Sequence, residues 1–98
     1  MDFQQVTLVF KLKETGDFSD IKIESHYRNF VADLTNVSEE VINKVKNKFV
    51  TFDESISKMK GSFVIVSDYI FDETLNIVPT LQEAYDLIEI EEIERELN

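Results

Sequence analysis

The sequence contains no cysteine, one proline, two glycines and one histidine among its 98 residues. The lack of cysteine excludes disulfides, thiol catalysis and cysteine-ligated metal sites, and it fits a reducing compartment. Gly16 and Gly61 lie too far apart to form a P-loop or a dinucleotide-binding loop. The single histidine, His26, cannot supply the ligand set of a zinc hydrolase or a catalytic triad with an activated nucleophile. We therefore predict no enzyme activity, no cofactor and no bound metal.

Long apolar runs are also lacking, because no stretch approaches the roughly 18 residues that a membrane-spanning helix needs. The amino-terminal residues lack the basic region of a signal peptide. Twenty acidic residues against ten basic ones give a net charge of −10, which repels nucleic acids and anionic membranes. These features predict a cytoplasmic protein that binds neither nucleic acid nor membrane.

Hydrophobic periodicity predicts one small α/β domain over residues 1–98. Residues 6–12 and 18–26 alternate between apolar and polar side chains, which predicts two strands of a β-hairpin. Residues 30–34 and 63–66 are short apolar runs, typical of central strands that are buried on both faces. The expected sheet is therefore mixed, with a hairpin start, a β-α-β core and a closing C-terminal helix.

The helix between the two central strands has a continuous apolar stripe. Ser38 is predicted to be its N-cap, and Gly61 is predicted to follow its end at the C′ position. The stripe has spacings of three and four residues and consists of Val41, Val45, Phe49, Phe52, Ile56 and Met59. A strand, a helix and a second buried strand predict a parallel pair of strands.

A short strand at 75–78 precedes the last helix, which Thr80 and Glu83 are expected to cap. Its residues 89–98 form an acidic tail, and residues 81–98 hold seven acids and one base. This helix has two apolar stripes that point roughly 150° apart. The first is Leu81, Ala84, Tyr85 and Ile88, and the second is Ile90, Ile93 and Leu97. Either the helix bends so that the second stripe folds back on the domain, or that stripe faces a partner or a second copy.

Three segments resemble STAS domains, the domains of bacterial anti-sigma factor antagonists. Residues 31–37 read VADLTNV and resemble the strand end "V-x-D-L-S-x-V" of that family. Residues 61–66 resemble its next strand. Residues 79–97 resemble the ending "P-T-x-x-E-A-x-D-x-I-x-x-E-E-I-E-R-x-L" of a small bacterial subgroup. The resemblance covers about residues 30–98 and implies a trimmed STAS fold.

The sequence departs from that family at the phosphorylation motif. STAS switches carry "D-S-S-G-L" at the start of the helix, whereas residues 40–44 here read EVINK, without serine or glycine. The resemblance therefore implies a module without the phosphorylated serine. Short members of the subgroup are associated with ribonuclease Z and sometimes carry its name. One histidine excludes that zinc-dependent reaction, which leaves the role of an accessory protein open.

We therefore expect a non-catalytic regulatory module that binds another protein, a basic one by charge, or self-associates through its C-terminal helix. The resemblance implies that partners meet the amino end of the long helix, and the second stripe offers another surface. The expected partner-binding residues are Asn36, Ser38, Glu39, Glu40, Ile90, Ile93 and Leu97. The alternative is a small-ligand or metal binder that uses the acids at strand ends, namely Asp33, Asp68 and Asp72. A structural homodimer is the third hypothesis.

Overall fold

Two strands are followed by a helix, twice along the chain, in the computed structural model, which describes residues 7–12 and 27–97. The elements are β1 (Thr7–Lys11), β2 (Asn29–Asp33), α1 (Glu39–Lys58), β3 (Phe63–Val66), β4 (Ile77–Val78) and α2 (Leu81–Leu97). The strands form one sheet in the order β1-β2-β3-β4. The prediction of a small α/β domain is confirmed.

All pairings among the described strands are parallel, whereas the sequence predicted a mixed sheet. Thr7 pairs with Asn29 at one end of the β1–β2 ladder, and Lys11 pairs with Asp33 at the other. The predicted hairpin partner of β1, at 18–26, lies outside the described residues. The parallel pairing of β2 with β3 around α1 confirms the β-α-β core.

Alternate side chains of the two central strands point to opposite sides of the sheet, and both sides are buried. Phe30 and Phe63 belong to the core beneath α1, where the Phe52 ring meets them edge-on at 5.5 and 5.0 Å. Val31 and Val64 belong to a second core beneath α2. The sheet is therefore a middle layer between two helices, and the prediction from the short apolar runs that the central strands are buried on both faces is confirmed.

Helix α1 begins as predicted, since the Ser38 hydroxyl accepts a hydrogen bond from the Val41 amide at 3.3 Å. Its stripe differs slightly from the prediction. Val41 is only partly buried, Ile42 is fully enclosed beside it, and Met59 is 37% exposed at the C-cap. The stripe is thus rotated by about one residue at the amino end.

The turn after α1 corrects the predicted role of Gly61. The residue with a left-handed backbone is Lys60, whose φ is 61°, so the C′ position falls one residue earlier. A side chain on Gly61 would collide with the Arg28 carbonyl oxygen. Gly61 is therefore needed for the close approach of two backbone segments.

The parallel sheet has two distinct edges. We call the edge where β2 and β3 end the carboxyl edge, and the edge where they begin the amino edge. Both helices follow a strand, so each begins at the carboxyl edge and runs back toward the amino edge. The Thr80 hydroxyl accepts a hydrogen bond from the Glu83 amide at 3.2 Å, which confirms the predicted cap of α2.

Candidate functional site

Three aliphatic side chains lie exposed on the last two turns of α2. Ile90, Ile93 and Leu97 are 52%, 51% and 81% exposed, and we call them the outer stripe. The helix is continuous from Leu81 to Leu97. The stripe therefore does not fold back on the domain, and that alternative is wrong.

The opposite face of the same turns buries a charged residue. Glu92 is only 8% exposed, and it forms ion pairs with Arg95 on its own helix and with Arg28 just before β2. The Arg28 Nη1 to Glu92 Oε2 distance is 3.4 Å. The buried carboxylate thus has two cations to offset its loss of water.

Ser62, just before β3, connects the same helix face to the sheet. Its hydroxyl donates to Glu91 Oε1 at 2.5 Å and accepts from Arg95 Nη1 at 3.0 Å. Its amide donates to the Asn29 side-chain oxygen at 3.1 Å. We call Arg28, Ser62, Glu91, Glu92 and Arg95 the amino-edge cluster. It ties the last turns of α2 to the amino ends of β2 and β3.

Electrostatics within the cluster favour the ionised form of Glu92. Burial by itself raises the pKa of this carboxyl, but the hydrogen bond and charge of Arg95, together with Arg28, outweigh burial and lower it. Nearby, burial and then the carboxylates of Glu91 and Glu54 raise the pKa of Asp53. The cluster is therefore a place where ionisation and folding are coupled.

The cluster explains why the outer stripe faces away from the domain. Ala84 and Ile88 pack against the sheet, and helical spacing continues their face through Glu91, Glu92 and Arg95. This polar continuation was not predicted from the sequence. The signal that would have found it is the single base of the tail, three residues after a glutamate on the face of Ala84 and Ile88.

Acidic side chains surround the outer stripe. Asp86 precedes Ile90 by one turn on the same face, Glu94 lies on one flank, and Glu89 and Glu96 lie on the other. All four are exposed. The outer stripe is thus a short apolar strip with an acidic rim.

The second predicted surface, at the amino end of α1, lies at the other edge of the sheet. Glu39 and Glu40 are exposed in the first turn, and Glu40 Oε1 lies 3.8 Å from Lys44 Nζ. Asn36 has a left-handed backbone with φ of 68°, and Ser38 is occupied as the N-cap. The structure does not bring this surface together with the outer stripe.

Two of the three strand-end acids are engaged in local turns, whereas Asp68 is exposed. Asp33 Oδ1 accepts from the Thr35 amide at 2.9 Å, and Asp72 Oδ1 accepts from the Thr74 amide at 2.8 Å. The hydrogen bonds from Thr74 lower the pKa of Asp72. Across residues 7–12 and 27–97, no three acidic or histidine side chains are grouped so that they could hold a metal ion.

An open cleft of about 400 Å³ lies beside the ends of β3 and β4. Its lining runs from Ser67 to Ile70 and from Ile77 to Pro79. The Tyr69 hydroxyl is buried without a hydrogen-bond partner in the described parts of the chain. Burial and the charge of Glu39 raise the pKa of Tyr69. The cleft is mainly apolar, so it lacks the convergent polar groups of a catalytic pocket.

In the described part of the chain, neither helix is both long and apolar enough to cross a membrane. No family model, no curated protein and no solved structure matches this chain. The resemblance to STAS domains therefore stays a prediction.

Proposed function

We propose that this chain is a non-catalytic, cytoplasmic protein-interaction module whose docking surface is the outer stripe. One observation carries the proposal. The last two turns of α2 bury the charged Glu92 and leave Ile90, Ile93 and Leu97 in water.

The energetics of this arrangement favour a covered stripe. Burying an aliphatic side chain stabilises a fold by roughly 1.5–3 kcal/mol, and single exposed aliphatics are common on protein surfaces. Three of them at helical spacing form a contiguous patch, and contiguous apolar residues are more typical of an interaction surface than scattered single ones. Contact with a partner would recover the stabilisation that the isolated domain forgoes.

The resemblance to STAS domains adds a second surface to the proposal. In that family, partners meet the start of the helix that follows the "D-L-S-x-V" strand. The corresponding residues here are Asn36, Ser38, Glu39 and Glu40, without the phosphorylated serine. A regulatory partner that used both surfaces would have to span the sheet from edge to edge.

Site-specific crosslinking in cells tests the outer stripe. A photo-crosslinking amino acid is placed at position 93, and at position 70 as a matched control, because Ile70 is an exposed isoleucine at the carboxyl edge. We expect one discrete adduct from position 93 that disappears with Ile90→Asp in the same chain. No adduct at 93, or the same adduct at 70, would overturn the proposal.

The Ile93→Asp variant provides the binding readout. Because Ile93 is half exposed, we expect the free energy of unfolding to change by no more than about 1 kcal/mol while the contact is lost. Ile70→Asp should keep the contact. Urea unfolding checks the fold of both variants.

The competing hypotheses have their own readouts. A ligand binder at the carboxyl edge would gain thermal stability with a nucleotide or a divalent metal, whereas an interaction module would not. A structural homodimer would show twice the chain mass in light scattering, and a chain that ends at Glu89 would return to the monomer mass.

A further inference from the structure

We infer that the occupant of the outer stripe is a basic amphipathic helix of another protein. This inference rests on the proposed function and names its partner chemistry. Its apolar side chains would cover Ile90, Ile93 and Leu97, and its lysines or arginines would meet the acidic rim.

The charge around the stripe selects a basic partner. Glu89 and Glu96 lie on one flank, Glu94 on the other, and all are exposed. The only base of the tail, Arg95, is turned inward to Glu92 and Ser62. Arg95 therefore does not shield Glu89 or Glu96, and a partner that carries cations beside its apolar stripe gains electrostatic complementarity on that flank.

The same charges disfavour a second copy of this chain. Two outer stripes in contact would bring two acidic rims together, and each chain has a net charge of −10. Like charges placed against each other across an interface are costly.

The shape of the surface selects a helix as the partner element. The stripe runs from Ile90 to Leu97 along a convex helix, a length of about 10 Å or two turns. A second helix can pack its ridges into the grooves of such a surface. An extended peptide would need an open sheet edge for its backbone hydrogen bonds, and the stripe offers none.

Three synthetic peptides test the inference by fluorescence anisotropy with the full chain. The first is a helical peptide with a leucine stripe flanked by lysines. The second has the same stripe flanked by glutamates, and the third is a scrambled version of the first. We expect the lysine-flanked helix to bind about tenfold or more tightly than either other peptide, and to weaken as salt rises.

Variants of the chain locate the binding. Ile93→Asp should abolish binding of the lysine-flanked helix. The double change Glu89→Lys and Glu96→Lys should transfer the preference to the glutamate-flanked helix. The matched control, Glu54→Lys and Glu73→Lys, changes the net charge equally at exposed positions outside α2 and should leave the preference unchanged.

Each outcome decides the inference. Equal binding of the helical and scrambled peptides, or loss with the control pair, would reveal general attraction to an acidic protein and overturn it. Dimerisation of the chain that Ile93→Asp prevents would overturn it in favour of a second copy. A discrete crosslink from position 93 without a preference for lysine-flanked peptides would contradict this inference but would still support the proposed function.

Discussion

The two halves of α2 use opposite rules to dock on the same sheet. In the first half, Ala84 and Ile88 are fully buried against Val31 and Val64, as in an ordinary amphipathic helix. In the second half, Glu92 and its neighbours face the sheet, and the aliphatic side chains face water. One continuous helix thus changes from apolar to polar docking within a single turn.

The first half of α2 determines the orientation of the second half. To bury Ile93, the helix would have to rotate by about half a turn, which would take Ala84 and Ile88 out of the core. The amino-edge cluster offsets the cost of burying Glu92 in this orientation, because Arg28 and Arg95 form ion pairs with its carboxylate where it meets the sheet. The outer stripe is exposed as a consequence.

Truncating one aliphatic residue in each half should give the largest difference in the free energy of unfolding. Ile88→Ala removes a fully buried side chain and should lower the free energy of unfolding by about 2–5 kcal/mol. Ile90→Ala, two residues further along the same helix, should change it by no more than about 0.5 kcal/mol. Urea denaturation of both variants measures the difference. Similar losses would mean that the outer stripe is covered in the isolated chain.

Removing the buried charge should have a smaller effect. Glu92→Ala leaves Arg95 without its carboxylate and should lower the free energy of unfolding by about 1–3 kcal/mol. Arg28 can be hydrated after the substitution because its side chain is 46% exposed, so the loss of its ion pair contributes little to this destabilisation. The matched control is Glu89→Ala on the exposed face, which should be neutral. A neutral Glu92→Ala would show that the second half is held without the cluster.

The sequence predicted those elements whose side-chain pattern is local. The apolar runs of β2 and β3 and the stripe of α1 each report burial within one segment. The structure confirms the two runs, and it confirms the stripe except at Val41 and Met59. Ser38 and Thr80 are local as well, since each caps a helix through an amide three residues away.

The amino-edge cluster could not be read from a local pattern. Glu92 meets Arg28 across 64 residues, and Ser62 meets Glu91 across 29. Only the fold places these residues at one edge of the sheet. The outer stripe was predicted because its phase conflicts with the first stripe, but its exposure depended on which of the two stripes would pack against the sheet.

The stability of the two halves of α2 should depend differently on pH. The folded chain lowers the pKa of Glu92, with Arg95 and Arg28 outweighing the effect of burial. A carboxyl whose pKa is lowered by folding stabilises the fold above its unfolded value, here 4.5. That contribution is lost as the pH falls through the lower folded value. The stability gap between the wild-type chain and Glu92→Gln should therefore be constant near neutral pH and shrink below about pH 4.5.

Asp53 acts in the opposite direction, because folding raises its pKa through burial and the carboxylates of Glu91 and Glu54. Its stabilising contribution is present at low pH and is lost as the pH rises through the folded pKa. Asp53 is retained in both chains, so its effect cancels when the two urea titrations are subtracted. Ile88→Ala affects no ionisable group, and its loss should stay constant over the same pH range. If the stability difference between the wild-type chain and Glu92→Gln is also constant over this pH range, the charge of Glu92 does not hold the second half of α2 to the sheet.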